Sequence, residues 1–350
     1  MITIRLSGGL GNQMFQYAAA RALALRRHTE IAVDTSYYVY APEVYAPEVY
    51  APEAHATEVY APEAYAPEAY ATGVSATGAH ATGANTTRAD TTGADTTGAD
   101  TTAAVTTTRH SALAAFDCPQ PVAPAGRSWL ARRQRYPLLR WLGALPGVPH
   151  WYRERGFDFD ARVLTQPAQT YLQGYFQSER YFGDYAAQIR KDFEFSPLTC
   201  GPNVALAAQI DASCAVAIHI RLGDYQDHPR ASAVHGVLDA SYYRQAVAHC
   251  QASLDAPRFF VFTDTPARVP DLELPVPLHI VTHNRGAQSF RDMQLMSRCA
   301  HQVIANSSFS WWAAWLNVAP GKRVIAPRNW FARTSGRDTR DLLPASWLQL

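Results

Sequence analysis

The sequence predicts an α/β protein built on doubly wound parallel sheet. Two observations carry this. The chain opens as strand, glycine turn, helix and second strand. Its second half then carries four apolar strand-like runs, each ending in a polar cluster and alternating with helix-forming segments. Open sheets of this kind bind ligands at the carboxyl ends of their strands, so those clusters are where a function is sought.

The first strand is Ile2 to Leu6, followed by the turn Ser7-Gly8-Gly9-Leu10-Gly11-Asn12-Gln13. Met14, Tyr17, Ala18, Arg21, Ala22 and Leu25 then recur at helical spacing, and Ile31 to Asp34 forms the second strand. Glycine in such a turn permits positive φ and close backbone approach, and the helix behind it offers free amides. A merely tight turn is the alternative, although Asn12 and Gln13 in place of apolar residues favour a ligand. Glycines at 8, 9 and 11 do not fit the dinucleotide spacing GxGxxG, and no ribose-binding acid follows in the usual context. This argues against a nicotinamide dehydrogenase.

Residues 40–109 are fourteen pentapeptides that drift from Tyr-Ala-Pro-Glu-Val to Asp-Thr-Thr-Gly-Ala. The block has no Leu, Ile, Phe or Trp, and its six Glu and three Asp against Arg88 and Arg109 give it a net charge of −7. A period of five matches neither helix nor strand, and the prolines remove backbone donors. An extended or disordered surface insertion is expected, with a Tyr- or Thr-rich binding arm as the alternative. Between Pro119 and Pro149 a stretch containing Arg127, Arg132, Arg133, Arg135 and Arg140 reads as helix and loop. It lacks regular aromatic interleaving and is taken as a solvated face rather than a nucleic-acid patch.

In the second half the strands are Cys214 to Ile220, Arg258 to Phe262, Pro277 to Val281 and Val303 to Ala305, with a last strand at Arg323 to Ala326. Helices are expected from Phe290 to Ala300, with Asp292 in the first turn, and from Trp311 to Val318. His219 and Arg221, two apart at a strand end, share one face. A guanidinium fork and an imidazole suit phosphate oxygens, and Asn306-Ser307-Ser308 ahead of a helix adds hydroxyls and amides to an anion site. No DxD pair is present to hold a divalent cation, so positive protein groups would have to stabilise a leaving diphosphate. Asp264 and Asp292 are carboxylates suited to a base N–H or a ribose hydroxyl. Each feature also has a plain structural reading: a salt bridge from Arg221 to Asp224, an N-cap at Ser307, a first-turn carboxylate at Asp292, core packing for Trp311, Trp312 and Trp315. Several clusters at equivalent strand ends favour a site.

The residues that carry a family resemblance are Ser7 to Tyr17, His219-Ile-Arg-Leu-Gly-Asp-Tyr225, Phe262-Thr-Asp264, Gly174-Tyr-Phe-Gln-Ser-Glu-Arg-Tyr-Phe182, and the run from Asp292 through Ile304 to Trp312. In these the chain resembles the bacterial α-1,2-fucosyltransferases of glycosyltransferase family 11, over residues 1–36 and 112–350. The resemblance implies a GT-B-like fold of two Rossmann-like domains facing a cleft. It places an acceptor-side domain at 1–39 and 110–185, a donor domain at 186–350, and leaves the repeat at 40–109 foreign.

It further implies inverting, metal-independent transfer of fucose from GDP-β-L-fucose to the 2-OH of a galactoside-terminated glycan. By the family pattern His219, Arg221, Asn306, Ser307, Ser308 and Phe309 attend the donor diphosphate, and Asp264 and Asp292 lie toward the nucleoside. Gly8, Gly9, Gly11, Asn12, Gln13 and Gln177 lie on the acceptor side. The common family form has two consecutive arginines where this chain has Arg221-Leu222. Asp224 is the first candidate for the general base, with Glu179 behind it. Transfer to another position or acceptor, and a non-catalytic protein disabled by the insertion, are the alternatives.

With 350 residues, 47% of them hydrophobic, and no apolar run of membrane-spanning length, no transmembrane segment is expected, although association with a membrane surface is left open. Five scattered cysteines without a CxxC pair, and no metal-ligand spacing, point to a reducing cytoplasm and no bound metal. No nucleic-acid partner is expected.

Overall fold

The structure, a computed structural model, describes residues 1–40, 112–222, 236, 238–332 and 336–350. Apart from Tyr40 at a helix end, the pentapeptide block lies outside these residues, as does Asp224. The elements run β1 (Ile2–Arg5), α1 (Leu10–Arg26), β2 (Ile31–Asp34), α2 (Ser36–Tyr40), α3 (Ala125–Arg133), β3 (His150–Arg153), β4 (Thr170–Gln173), α4 (Ala186–Asp192) and α5 (Gly201–Asp211). They continue β5 (Ala215–Ile220), α6 (Ala240–Ser253), β6 (Arg258–Thr263), β7 (Leu278–Val281), α7 (Phe290–Arg298), β8 (His301–Val303), α8 (Ser308–Leu316), β9 (Val324–Ala326) and β10 (Leu348–Gln349).

Every named strand pairing is parallel. One sheet has the order β2-β1-β4-β3 and the other β10-β9-β8-β5-β6-β7. The chain thus forms two Rossmann-like halves, the GT-B-like architecture expected. In the six-stranded sheet the winding direction reverses between β5 and β8, which places a crevice beyond the carboxyl ends of those two strands.

Strand alternation distributes the core. Val216, Ile218 and Ile220 of β5 pack with Tyr243 and Val247 of α6 on one face, while Ala215 and Ala217 turn to the other with α5, α7 and α8. That second core does not stop at the sheet. It continues through the aromatic residues of α8 into α1 and the four-stranded sheet, so the two halves share one apolar interior. Phe15 lies 4.4 Å from Trp311 and 5.0 Å from Trp312 between ring centroids, and Phe182 stacks on Trp312 at 5.3 Å. The core reading of the tryptophans holds: Trp311, Trp312 and Trp315 are buried.

Two boundaries beside the candidate site and two strands differ from expectation. β8 ends at Val303 because the chain turns out of the sheet, with the Ser307 amide donating to the Ala305 carbonyl. α8 starts at Ser308 rather than Trp311, because the Ser307 hydroxyl caps it. β3 and β4 were not anticipated.

The seam depends on Gly11. A Cβ at that position would stand 2.5 Å from the Ser308 carbonyl carbon and 2.6 Å from the Phe309 amide nitrogen, and the Gly11 carbonyl accepts from Trp312 Nε1 at 2.9 Å. The obstructing atoms are backbone, so neither helix can yield locally. Gly11→Ala is therefore expected to destabilise the protein by about 1–3 kcal/mol through forced repacking, read as a lowered urea midpoint. An unchanged midpoint would show that the two helices are not held at this distance.

Candidate functional site

β5 delivers His219 and Arg221 to the carboxyl edge. The alternation that buries Ile218 and Ile220 against α6 sends His219 to the opposite face, where its ring lies 5.7 Å from that of Phe309 in the first turn of α8. The strand end and the helix start are therefore neighbours, although 90 residues separate them. His219 is buried and its Nδ1 has no hydrogen-bond partner among the described residues. Burial, reinforced by the Arg221 cation, pushes its pKa down from 6.5 to about 3. The imidazole is neutral at physiological pH, which leaves one nitrogen able to accept and the other able to donate. Arg221 is half-buried and supplies the permanent charge.

On β8's side, Ser307 is the N-cap, its Oγ accepting from the Phe309 amide at 3.3 Å. Its hydroxyl thus serves the helix, as the plain capping reading holds. Ser308 and Phe309 begin the helix whose positive dipole end points to the same edge as Arg221. Asn306 is buried, and its Nδ2 donates to the carbonyls of Gly236 (3.3 Å) and Trp330 (3.2 Å). It lines a cavity of about 350 Å³ between the start of α6 and the ends of β9 and β10. The bonds that hold the Asn306 amide thus run to Gly236 and Trp330.

The carboxylates lie along the same edge in the other direction. Adjacent strands are about 4.8 Å apart, so Asp264 after β6 sits one strand from His219, and His283 and Asn284 after β7 sit two strands away. Asp264 is exposed, accepting from Thr265 Oγ1 at 3.3 Å. Asp292, in the first turn of α7, accepts from Asn284 Nδ2 at 2.8 Å. Burial raises its pKa to about 7 against the pull of that bond. Asn284 in turn exchanges hydrogen bonds with Asn203 of α5 at 2.8 and 2.9 Å, and Asn203 Oδ1 lies 2.6 Å from His283 Nε2. None of Asn203, His283 and Asn284 was among the site residues read from the sequence. α5 and the stretch from the end of β7 to α7 meet here, and neither Asn203 nor Asn284 carries a local signal.

The glycine turn reaches the seam from the other half. Gly8 has φ 73° and its carbonyl accepts from Tyr38 Oη (2.7 Å) and Gln13 Nε2 (3.1 Å). Gly9 is exposed and stands as the N-cap of α1 without a side-chain hydrogen bond. Asn12, Gln13 and Gln177 are buried. Gln177 Nε2 donates to Asn12 Oδ1 at 2.7 Å, and Gln13 Oε1 accepts from the Ala112 amide at 2.9 Å. Asn12 Nδ2 is buried without a partner among the described residues. The starts of α1 and α8 thus meet through Gly11, two positive helix ends beside the edge that carries Arg221.

Glu179 does not belong to this constellation. Its Oε2 accepts from Trp315 Nε1 at 3.1 Å, at the opposite end of α8, where Lys322 Nζ also donates to the Ala314 and Asn317 carbonyls. That bond ties it to the C-terminal turn of α8, away from the Ser308 start. Among the described residues no group of three His, Cys, Asp or Glu could hold a metal ion, and no helix is long and apolar enough to cross a membrane.

The buried imidazole makes a pH prediction. The unfolded chain binds a proton at His219 below 6.5 and the folded chain only near 3, so the native state loses stability as pH falls through that interval. Asp292 acts with the opposite sign: its raised folded pKa favours the native state at low pH, and this contribution fades as pH rises toward 7. Comparing wild type with His219→Gln isolates the first effect. The variant is expected to lose roughly 2 kcal/mol less than wild type between about pH 6 and 4. Parallel urea-unfolding profiles would contradict a neutral, buried His219.

The sequence model of Glycosyl transferase family 11 matches residues 136–348, more than half of the chain. The O-antigen biosynthesis glycosyltransferase WbnK of Escherichia coli is 39% identical over 134 residues, 38% of this chain and 43% of that protein. An alpha-1,2-colitosyltransferase of Escherichia coli is 32% identical over 186 residues, 51% of this chain and 61% of that protein. The matches thus span about half the length of these curated relatives. Among solved structures, NodZ alpha-1,6-fucosyltransferase soaked with GDP-fucose superposes with a TM-score of 0.44 at 13% identity, covering 93% of this chain and 94% of that one. The chain belongs to glycosyl transferase family 11.

Proposed function

We propose that this member of glycosyl transferase family 11 is an inverting fucosyltransferase. It would move L-fucose from GDP-β-L-fucose to the 2-OH of a terminal galactoside, without a metal ion. The observation that carries the reading is the meeting of a neutral, buried His219, the Arg221 cation and the start of α8 at the winding reversal of the six-stranded sheet.

The chemistry follows from the charges. As the glycosidic bond to the diphosphate breaks, negative charge grows on the leaving oxygens and positive charge on the sugar ring. Arg221 and the α8 dipole stabilise the first, and are worth most when the site is dry. The neutral His219 donates to a phosphate oxygen without adding a second cation beside Arg221. Asp264 and the Asp292–Asn284 pair, one and two strands away, read the nucleoside. The acceptor enters from the glycine-turn side and its hydroxyl attacks the opposite face of the sugar, which inverts the anomeric carbon. We assign its proton to Asp224, the carboxylate three residues beyond Arg221.

A second donor has its own support, the 32% identity to an alpha-1,2-colitosyltransferase. Competition between GDP-fucose and GDP-colitose for one acceptor separates the two.

The reading is tested by incubating the purified protein with GDP-fucose and lactose, with and without EDTA, and determining the product linkage. Product fucosylated on the galactose 2-OH is expected at the same rate in both. Arg221→Ala is expected to lower turnover by a factor of about 100 or more. Near-normal turnover of that variant, or EDTA-sensitive transfer, would sink the assignment.

A further inference from the structure

The segment from Pro119 to His150 contains five arginines and no acidic residue, and it carries most of the large exposed apolar side chains in the described structure. Leu138 is 88% exposed, Val122 72% and Trp141 59%, and Trp129 and Leu145 are also exposed. Val122 lies apart from the rest, bridged to Val33 of β2, whereas the local geometry groups the side chains of the 3-10 helix. Pro137–Ala144 is a 3-10 helix, in which residues three apart eclipse one another, so Leu138, Trp141 and Ala144 line a single edge. All three are exposed, whereas Leu142 on the other side is buried.

This platform is fixed, not loosely attached. Gln134, at the end of α3, is buried and bridges to the edge strand β3: its Nε2 donates to the Pro149 carbonyl at 2.7 Å and its Oε1 accepts from the Trp151 amide at 3.2 Å. Gly143 leaves room for that bridge, since a Cβ there would meet Gln134 Oε1 at 2.5 Å. Ser128 and Ala131 of α3 are buried beneath it, and Arg132 turns inward to Asp34 at 3.0 Å. The other charges accompany the apolar edge. Arg133 lies over the Trp129 ring at 4.6 Å, Arg135 over Tyr136 at 4.6 Å, and Arg140 is exposed between Leu138 and Trp141.

We infer that this α3 and 3-10 helix platform docks on an anionic lipid surface, its leucine and tryptophan side chains entering the headgroup boundary while the arginines engage lipid phosphates. Three considerations select that occupant. Leu138 and Leu145 need hydrocarbon, which nucleic-acid bases and phosphates do not offer. Tryptophan and arginine are suited to the interfacial layer, where a ring can lie half in hydrocarbon and a guanidinium can reach the headgroups. A symmetric pairing with a second copy would set arginine against arginine, because a two-fold interface opposes each patch to itself. A surface of uniform negative charge suits a stretch with no acid of its own.

The test is flotation of the full chain with vesicles of phosphatidylcholine alone and of phosphatidylcholine with roughly one-third phosphatidylglycerol. Wild type is expected to float with the anionic vesicles, less so in high salt, and not with phosphatidylcholine alone. Leu138→Glu combined with Trp141→Glu, and separately Arg133→Gln combined with Arg140→Gln, should each weaken binding by more than about tenfold. These side chains face outward, so circular dichroism melts should match wild type. No flotation by wild type, or flotation that the variants retain, overturns the inference. So does self-association abolished by Leu138→Glu without vesicle binding, which would assign the face to a second copy. Binding of duplex oligonucleotide without vesicle binding would assign it to nucleic acid.

Discussion

The structure depends on how closely α1 and α8 approach. Gly11 lies against the backbone of Ser308 and Phe309, and the Trp312 indole donates to the Gly11 carbonyl across 301 residues of sequence. Any side chain at Gly11 would separate the helices. The aromatic contacts between Phe15 and the tryptophans of α8 require the same spacing. These contacts make the seam between the sheets a dry core and bring both helix starts to one place.

That placement sets the electrostatics of the candidate site. Two helix starts and Arg221 gather positive potential at one edge, while burial keeps His219 uncharged. A charged His219 would add repulsion without adding a necessary donor. The carboxylates are kept apart, toward β6 and β7, where Asp292 is buried and amide-bonded and Asp264 is exposed. An elongated ligand with an anionic middle and a hydrogen-bonding end matches this gradient. Glu179, by contrast, is bonded to the indole of Trp315 near the α8 C-terminus, where Lys322 supplies the complementary positive charge.

Much of this was legible in sequence because the strand that carries the central residues is fully buried. Ala215–Ile220 is apolar at every position but His219, so both the strand and its one chemical residue stand out. β3 and β4 were invisible because His-Trp-Tyr-Arg and Thr-Tyr-Leu-Gln mix polar and apolar residues and become strands only through pairing to each other and to β1. The glycine turn was read as facing a ligand, but spacing cannot say whether a glycine admits a ligand or another helix, and Gly11 admits α8. The Asn203–Asn284–Asp292 chain joins α5 to the stretch between β7 and α7 without a local motif. The exposed edge of Leu138 and Trp141 was taken as an ordinary solvated face, because its period of three is not the helical one.

The proposed function requires a nucleotide diphosphate between Arg221, His219 and the first turn of α8, which a crystal structure of the protein with GDP would reveal. Phosphate oxygens are expected within hydrogen-bond reach of the Arg221 guanidinium, the His219 imidazole and the amides of Ser308 or Phe309, with the base directed toward Asp264 and Asp292. A diphosphate seated instead in the cavity beside Asn306, or at the ends of the four-stranded sheet, would contradict it.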